Sequence, residues 1–198
     1  GGGFGGKVDV ITEPVAFLAA MLTNRPVKYA YTREEEMQVS SPRAAERLYI
    51  KDGVMRDGRI VARYVRLYVD AGAYSRHSPY GTTKAAAHMP GPYTIPNVRV
   101  DAHCVYTNRT PSSAMRGFGV TIGDFALEVQ MDKIARLLDM DPIALRMKNA
   151  YRDGDMKAHG EVTKGAALVE VMQAAADLAG WPLSDAARKA SSLAREGW

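Results

Sequence analysis

The first seven residues of the chain combine a flexible backbone with an aromatic side chain, which suits contact with a bound ligand. Five of the residues 1–6 are glycine, the remaining one is Phe4, and Lys7 follows. Glycine adopts positive φ without strain and lets backbone N–H groups approach a ligand closely. Because a helical pattern follows, the segment predicts a loop that holds an anionic or phosphate-bearing cofactor.

A second segment resembles the first. Residues 108–119 are dense in small residues and contain Gly117-Phe118-Gly119, again just before a helical pattern. Two helix N-termini that converge would form an anion cradle with aromatic walls, to which Arg116 would add a planar guanidinium. The residue types equally allow Phe118 and Met115 to be core residues and Arg116 to be a surface charge.

The first loop also matches two nucleotide-binding motifs formally. Gly1-x-Gly3-x-x-Gly6 fits the dinucleotide fingerprint, and Gly1 to Lys7 fits most of the P-loop. Both motifs need a preceding strand, and the P-loop needs Ser or Thr where Val8 stands. A phosphate or nucleotide binder is therefore disfavoured. A glycine-rich linker or an expression remnant is the other alternative, although a Phe and a Lys are unusual in linkers.

Composition sets the broad class. The 198 residues, with 46% hydrophobic and 24% charged, form one large or two small domains with an ample core. The net charge of +4 is dispersed, which does not indicate a nucleic-acid surface. The single cysteine, Cys104, excludes an intrachain disulfide and is expected to be a small buried hydrophobe in a strand. Without a long apolar run or a signal peptide, a cytoplasmic location is expected.

Hydrophobic periodicity predicts the elements that would position the two loops. The first loop leads into a helix over 13–24, apolar on most faces and therefore expected to be buried. Residues 27–32 have strand composition, and 33–37 predict a charged turn or a short helix. Two strands, 47–50 and 59–70, flank Asp-Gly turns at 52–53 and 57–58, and the second strand is expected to be central.

The rest of the chain mixes helix and strand. One helical turn is predicted over 84–89, and a strand over 98–107. Three helices follow, predicted over 123–138, 142–149 and 165–179. The fold class is therefore α+β, with a mixed or antiparallel sheet and packed helices.

Seven segments, in this order and spacing, carry a resemblance to a known family. They are GGGFGGK (1–7), TEPVAFLAAMLTNRPV (12–27), KDGVMRDGRI (51–60), VRLYVDAGAYS (65–75), GPYTIPNVRV (91–100), SAMRGFG (113–119) and DPIALRMKNAYRDGD (141–155). The chain resembles the molybdopterin-binding large subunit of the xanthine dehydrogenase and aldehyde oxidase family. The resemblance implies that residues 1–182 form the first cofactor-binding domain, followed by a tail at 183–198 that frays.

The resemblance also implies a reaction and its cofactors. The family hydroxylates an aldehyde or an N-heterocycle with oxygen taken from water. It uses molybdenum–molybdopterin, or the cytidine dinucleotide form, with iron–sulfur clusters and FAD on partner subunits or domains. The family's glutamate base is expected outside this chain, in the remaining part of the molybdopterin subunit. The resemblance therefore implies no catalytic residue within this chain, and the isolated chain is expected to be inactive.

Several positions match the family's cofactor and substrate contacts. The resemblance implies that the cofactor is contacted by Gly3, Phe4, Gly5 and Arg116. It implies that the substrate pocket is walled by Val8, Lys84 and Phe118. Purine-oxidising members carry Glu where Val8 stands and Arg where Lys84 stands, which disfavours xanthine. A lysine there suits a carboxylate on the substrate, so a carboxylated heterocycle is an attractive alternative to an aldehyde.

Other departures and a non-catalytic alternative accompany this interpretation. Met115 replaces the family's Phe, and Thr121-Ile122 replaces its Pro-Gln, so the grip on the cofactor is expected to differ. The four histidines, His77, His88, His103 and His159, lack metal-ligand spacing and are expected to be structural. The alternative is an excised fragment that folds without cofactor and serves in assembly or interaction.

Overall fold

The computed structural model describes residues 2–192 of the chain. Its helices are α1 (Glu13–Thr23), α2 (Arg33–Val39), α3 (Ser78–His88), α4 (Val120–Leu137), α5 (Pro142–Asn149), α6 (Leu168–Leu178) and α7 (Asp185–Ser192). Its strands are β1 (Glu46–Val54), β2 (Ile60–Gly72) and β3 (Asn97–Tyr106). Helices and strands are interspersed, with β1 and β2 consecutive and four helices in a row at the end of the described chain, which confirms the α+β class.

The three strands form a mixed sheet with β2 in the centre. A tight turn joins β1 to β2, with Gly58 N donating to Met55 O at 2.9 Å, so these strands form an antiparallel hairpin. Thr107 N donates to Gly72 O at 3.0 Å, which pairs the carboxyl ends of β3 and β2 and makes them parallel. The predicted central position of the second strand is confirmed.

The described residues form two compact units. The first, here called the loop unit, consists of 2–47, 67–86 and 102–122. The second, here called the helical unit, consists of 48–66, 87–101 and 123–192. The helical unit has one core between the start of β2 and α4, built on Ile60, Leu127 and Met131. A second cluster joins α5, α6 and α7.

Side-chain caps explain where two of the helices begin. Glu35 N donates to the Thr32 hydroxyl at 3.2 Å, while Thr32 N donates to the Glu35 carboxylate at 2.8 Å, forming a capping box at α2. Asp141 Oδ1 accepts from Ile143 N at 2.7 Å at the start of α5. The predicted start of a helix at Asp141-Pro142 is thus confirmed.

Helix α1 forms where predicted, but its predicted burial is wrong. None of its residues is buried, and the Phe17 and Leu22 side chains are 68% and 79% exposed. An apolar surface is buried only when another element covers it, and within residues 2–192 no element covers α1. The predicted strand at 27–32 is also wrong, because these residues pair with no other strand of the described chain.

Three other predictions need correction. Asp52-Gly53 lies inside β1 rather than at a turn, because the hairpin closes at Asp57-Gly58. The predicted single turn at 84–89 is the second half of α3, which begins at Ser78 because Pro79 is tolerated in a first helical turn. Cys104 is half-buried rather than buried.

The predicted boundary at residue 182 stays a prediction. Within the predicted tail, α7 packs against α5, where Leu183, Ala187 and Ala190 join the second cluster of the helical unit. Residues 193–198 lie outside the described residues. Among the described helices, none has the length and apolar character needed to cross a bilayer.

Candidate functional site

The first glycine loop folds as a tight turn around Phe4. Gly6 N donates to Gly3 O at 2.8 Å, and Phe4 and Gly5 have φ angles of 50° and 96°. Positive φ is uncommon for a residue with a side chain and is concentrated at functional sites. The loop thus holds an aromatic residue in a conformation that costs free energy.

The second glycine loop has the same backbone feature. Phe118 N donates to Met115 O at 2.6 Å, and φ is 88° at Gly117, 45° at Phe118 and 89° at Gly119. In both loops a phenylalanine with positive φ precedes a glycine with φ near 90°. The sequence similarity between the two loops therefore corresponds to a similarity in backbone conformation.

The two loops touch each other within the loop unit. A Cβ atom added to Gly5 would lie 2.3 Å from the Ala114 carbonyl oxygen, so the backbones meet at a distance that only glycine permits. The Arg116 guanidinium carbon lies 5.4 Å from the centroid of the Phe4 ring, in a cation–π arrangement. Contact between the loops creates an open groove of about 410 Å³. The groove is lined by Phe4, Gly5, Val8, His77, Ala114, Met115, Arg116, Gly117 and Phe118.

Contacts from Arg43 and Gly81 hold the second loop in place. Arg43 donates from Nη1 to Thr121 Oγ1 at 2.9 Å and from Nη2 to the Arg116 carbonyl oxygen. The Phe118 ring lies over Gly81 of α3. A Cβ atom added to Gly81 would lie 3.3 Å from Cε2 of Phe118. Arg43 was not predicted as part of the site. Its role depends on contacts with residues far along the chain, for which the sequence gives no local signal.

An aspartate–histidine pair lies at the edge of the groove. His77 Nδ1 is 3.0 Å from Asp9 Oδ1, and Ser41 Oγ donates to Asp9 Oδ2 at 3.0 Å. Burial raises the pKa of Asp9, but the hydrogen bonds from Ser113, Ser41 and His77 outweigh burial and hold the pKa below its usual value. Asp9 is therefore ionised near neutral pH. His77 has a carboxylate partner and lines the groove, and its expected structural role stays a prediction.

A second carboxyl group, half-buried, lies behind the second loop. Glu46 and Phe118 line a small void of about 10 Å³, the space of about one water molecule. Burial raises the pKa of Glu46 to about 7, although the charge of Arg43 lowers it in part. Glu46 Oε2 is buried and has no hydrogen-bond partner among the described residues. No motif or spacing around Glu46 predicts this environment.

The structure brings most of the expected cofactor contacts together. Phe4, Gly5 and Arg116 line one groove, and next to them the space around the Cβ position of Gly3 is open for 4 Å. That open backbone can approach a ligand closely. The guanidinium of Arg116 suits phosphate oxygens, and the phenylalanine offers a flat face. The residues present therefore fit a phosphate-bearing, partly planar cofactor such as molybdopterin.

The expected substrate contacts are only partly brought together. Val8 and Phe118 line the same groove, whereas Lys84 is an exposed residue of α3 and does not line it. Within residues 2–192, no three side chains of His, Cys, Asp or Glu are grouped as ligands for a metal ion.

Comparison with known proteins assigns the chain to a family. A family model described as the molybdopterin cofactor-binding domain matches residues 1–150. The chain belongs to this family. Among its relatives is the nicotinate dehydrogenase large molybdopterin subunit of Eubacterium barkeri, 42% identical over 180 residues, which are 90% of this chain and 42% of the relative. The aldehyde oxidoreductase of Megalodesulfovibrio gigas is 37% identical over 81% of this chain and 18% of its own length.

Solved structures agree with this assignment. The aldehyde oxidoreductase from Desulfovibrio desulfuricans matches with a TM-score of 0.82 and 31% identity, over 91% of this chain and 20% of that one. Quinoline 2-oxidoreductase from Pseudomonas putida matches with a TM-score of 0.81 and 26% identity, over 91% and 24%. The chain therefore spans less than half the length of these relatives. The predicted family and its oxidoreductase class are confirmed.

Proposed function

We propose that the molybdopterin-binding chain holds the cofactor of a molybdenum hydroxylase between its two glycine loops, next to the bound substrate. The observation that carries this proposal is the contact between the loops, with Gly5 against Ala114 and Arg116 over the Phe4 ring. Two segments far apart in the sequence are strained and packed together around one open groove. Strain of this kind persists where the surrounding structure holds it for a function.

Each loop has a separate task in the proposal. The backbone at Gly3 and Gly5 lies close to the cofactor, and the Phe4 ring packs beside it. Arg116 donates hydrogen bonds to its oxygen atoms, and cation–π contact with Phe4 keeps the guanidinium oriented. The cofactor, when bound, supplies the two-electron oxidation through which a water-derived oxygen atom enters the substrate.

The proposed substrate is an N-heterocyclic acid, with an aldehyde as the second candidate. Val8 and Phe118 give the groove apolar walls for a planar ring. Val8 cannot make the hydrogen bond that a glutamate at this position would offer to a purine. The similarity to the large subunit of a nicotinate dehydrogenase supports a pyridine carboxylate, and that to an aldehyde oxidoreductase supports an aldehyde.

The remaining components belong to the same proposal. The rest of the molybdopterin subunit would supply the glutamate base and complete the cofactor site. Partner subunits or domains would carry the iron–sulfur clusters and FAD that remove the electrons. A cytoplasmic location and the cytidine dinucleotide form of the cofactor are compatible with this arrangement.

The test uses the full-length subunit with its partners. Arg116→Gln should lower molybdenum per subunit, while Arg99→Gln, which changes an exposed arginine outside the groove, should not. In oxygen-18 water the hydroxylated product of the unchanged enzyme should be labelled, and in oxygen-18 dioxygen it should not. Normal loading of Arg116→Gln, or oxygen drawn from dioxygen, would contradict the proposal.

A further inference from the structure

The walls of the groove are almost wholly apolar. Of the nine residues that line it, His77 and Arg116 alone have polar side chains. Arg116 is stacked on Phe4, the residue proposed to lie beside the cofactor. Recognition of a polar group on the substrate is therefore left to His77.

Asp9 fixes how the His77 ring presents its two nitrogens. The Asp9 carboxylate is 13% exposed and lies 3.0 Å from Nδ1, and Ser41 holds its other oxygen. Since an ionised carboxylate only accepts hydrogen bonds, Nδ1 carries the proton. Nε2 is then the nitrogen left for a ligand, and it makes no hydrogen bond to any described residue. The pair thus offers an oriented imidazole nitrogen at the groove.

The surrounding charges favour an acidic group at this nitrogen. No acidic side chain lines the groove among the described residues, whereas the Arg116 guanidinium does. Behind the pair, Arg76 Nη1 donates to Ser41 Oγ at 2.8 Å, which places a second positive charge near Asp9. An acidic ligand at Nε2 shares its proton with that nitrogen, so that His77 and the carboxyl oxygen form a charge-assisted hydrogen bond. Apolar walls lower the local dielectric constant, which strengthens such a charged hydrogen bond.

We propose that His77, oriented by Asp9, binds the acidic group of an aromatic or heteroaromatic substrate whose ring packs between Val8 and Phe118. The pair then determines specificity for the acid over its neutral analogues. Val8 cannot do so, because its side chain makes no hydrogen bonds. This inference rests on the proposed function for the identity of the groove as the substrate site.

The test compares an acid with its neutral amide in the full-length, cofactor-loaded enzyme. Nicotinate and nicotinamide share the ring, and the carboxylate of the first is replaced by a neutral amide in the second. Loss of a charged hydrogen bond should weaken nicotinate binding to His77→Leu by about 10- to 100-fold, measured by calorimetry. Nicotinamide binding should change by less than about 3-fold, since no charged hydrogen bond is lost. In turnover, KM for the acid should rise more than kcat falls.

Two further variants distinguish a specific effect on the acid from a general loss of structure. Asp9→Asn leaves His77 in place but removes the charge that orients it, so nicotinate should again be weakened more than nicotinamide. His159 pairs with the Glu161 carboxylate at 3.2 Å but does not line the groove, so His159→Leu should change neither ligand. Equal losses for acid and amide in His77→Leu, or no loss, would overturn the inference.

The outcomes separate this inference from the proposed function. If the unchanged enzyme binds nicotinate through His77 but hydroxylates neither compound, the inference stands and the proposed substrate is wrong. If the enzyme oxidises aldehydes and binds nicotinate no more tightly than nicotinamide, the inference is wrong and the hydroxylase proposal stands.

Discussion

A single methyl group at Gly5 should separate the two glycine loops. In Gly5→Ala the new Cβ would lie 2.3 Å from the Ala114 carbonyl oxygen, where ordinary contact begins at 3.4 Å. The clashing atom is a backbone oxygen, so no side-chain rotation can relieve the clash. The loops must therefore move apart by about 1 Å. The φ of 96° at Gly5 adds backbone strain.

The two effects have known sizes. Left-handed backbone costs about 1–2 kcal/mol for an L-residue, and insertion of an extra methyl into a packed contact costs about 1–3 kcal/mol. Together they amount to roughly 2–5 kcal/mol against the apposed loops. Even the lower figure reduces the equilibrium constant for apposing the loops by about 30-fold, and the apparent cofactor affinity falls with the fraction of molecules that stays apposed.

The assay measures molybdenum and pterin per full-length subunit. The control is Gly6→Ala in the same loop, where an added Cβ would lie 3.5 Å from its nearest neighbour, the Gly3 carbonyl oxygen. Thermal unfolding of both variants shows whether the fold as a whole is preserved. If Gly5→Ala loads as much cofactor as Gly6→Ala, contact between the loops is not what holds the cofactor.

Two other perturbations test groups buried elsewhere in the chain. Arg63 donates to Asp52 at 2.7 Å with both side chains at most 1% exposed, so Arg63→Met should lower the free energy of unfolding by about 3–5 kcal/mol in urea titrations. The double variant with Asp52→Leu should recover most of that loss, and a double variant no more stable than the single would contradict the reasoning. Burial raises the pKa of Glu46 from 4.5 to about 7. Between these values Glu46 is ionised in the unfolded chain but protonated in the folded one, so the free energy of unfolding falls as pH rises. Relative to Glu46→Gln, the unchanged protein should therefore lose stability between about pH 4.5 and about pH 7, and parallel pH profiles of unfolding would refute this.

Local chemistry made part of the fold predictable. The hairpin closes at Asp57-Gly58 because the turn needs the positive φ that Gly58 supplies, and α5 begins at Asp141 because its carboxylate accepts from the first free N–H groups. The pairing of two similar loops was also visible, since Gly-Phe-Gly encodes the same backbone conformation at Phe4 and Phe118. Each of these signals lies within a few residues of its effect.

Long-range contacts were not predictable from one sequence. Asp9 and His77 are 68 positions apart, and nothing near either residue indicates that they meet. The prediction that α1 is buried was wrong. An apolar composition indicates that a helix packs against another element, but it does not identify that element. Lys84 matches a family position, yet it does not line the groove formed by the described residues, since its place depends on the path of α3.

The contact between Gly5 and Ala114 has a consequence for the order of events in biosynthesis. A ribosome releases the first loop long before the second, so the early loop has no partner to rest on while the intervening strands are being made. The conformation that holds Phe4 at positive φ can become stable only once residues 113–119 have emerged and folded. If the loops hold the cofactor as proposed, its insertion follows translation of at least this stretch, and a nascent chain arrested before it should not retain the cofactor.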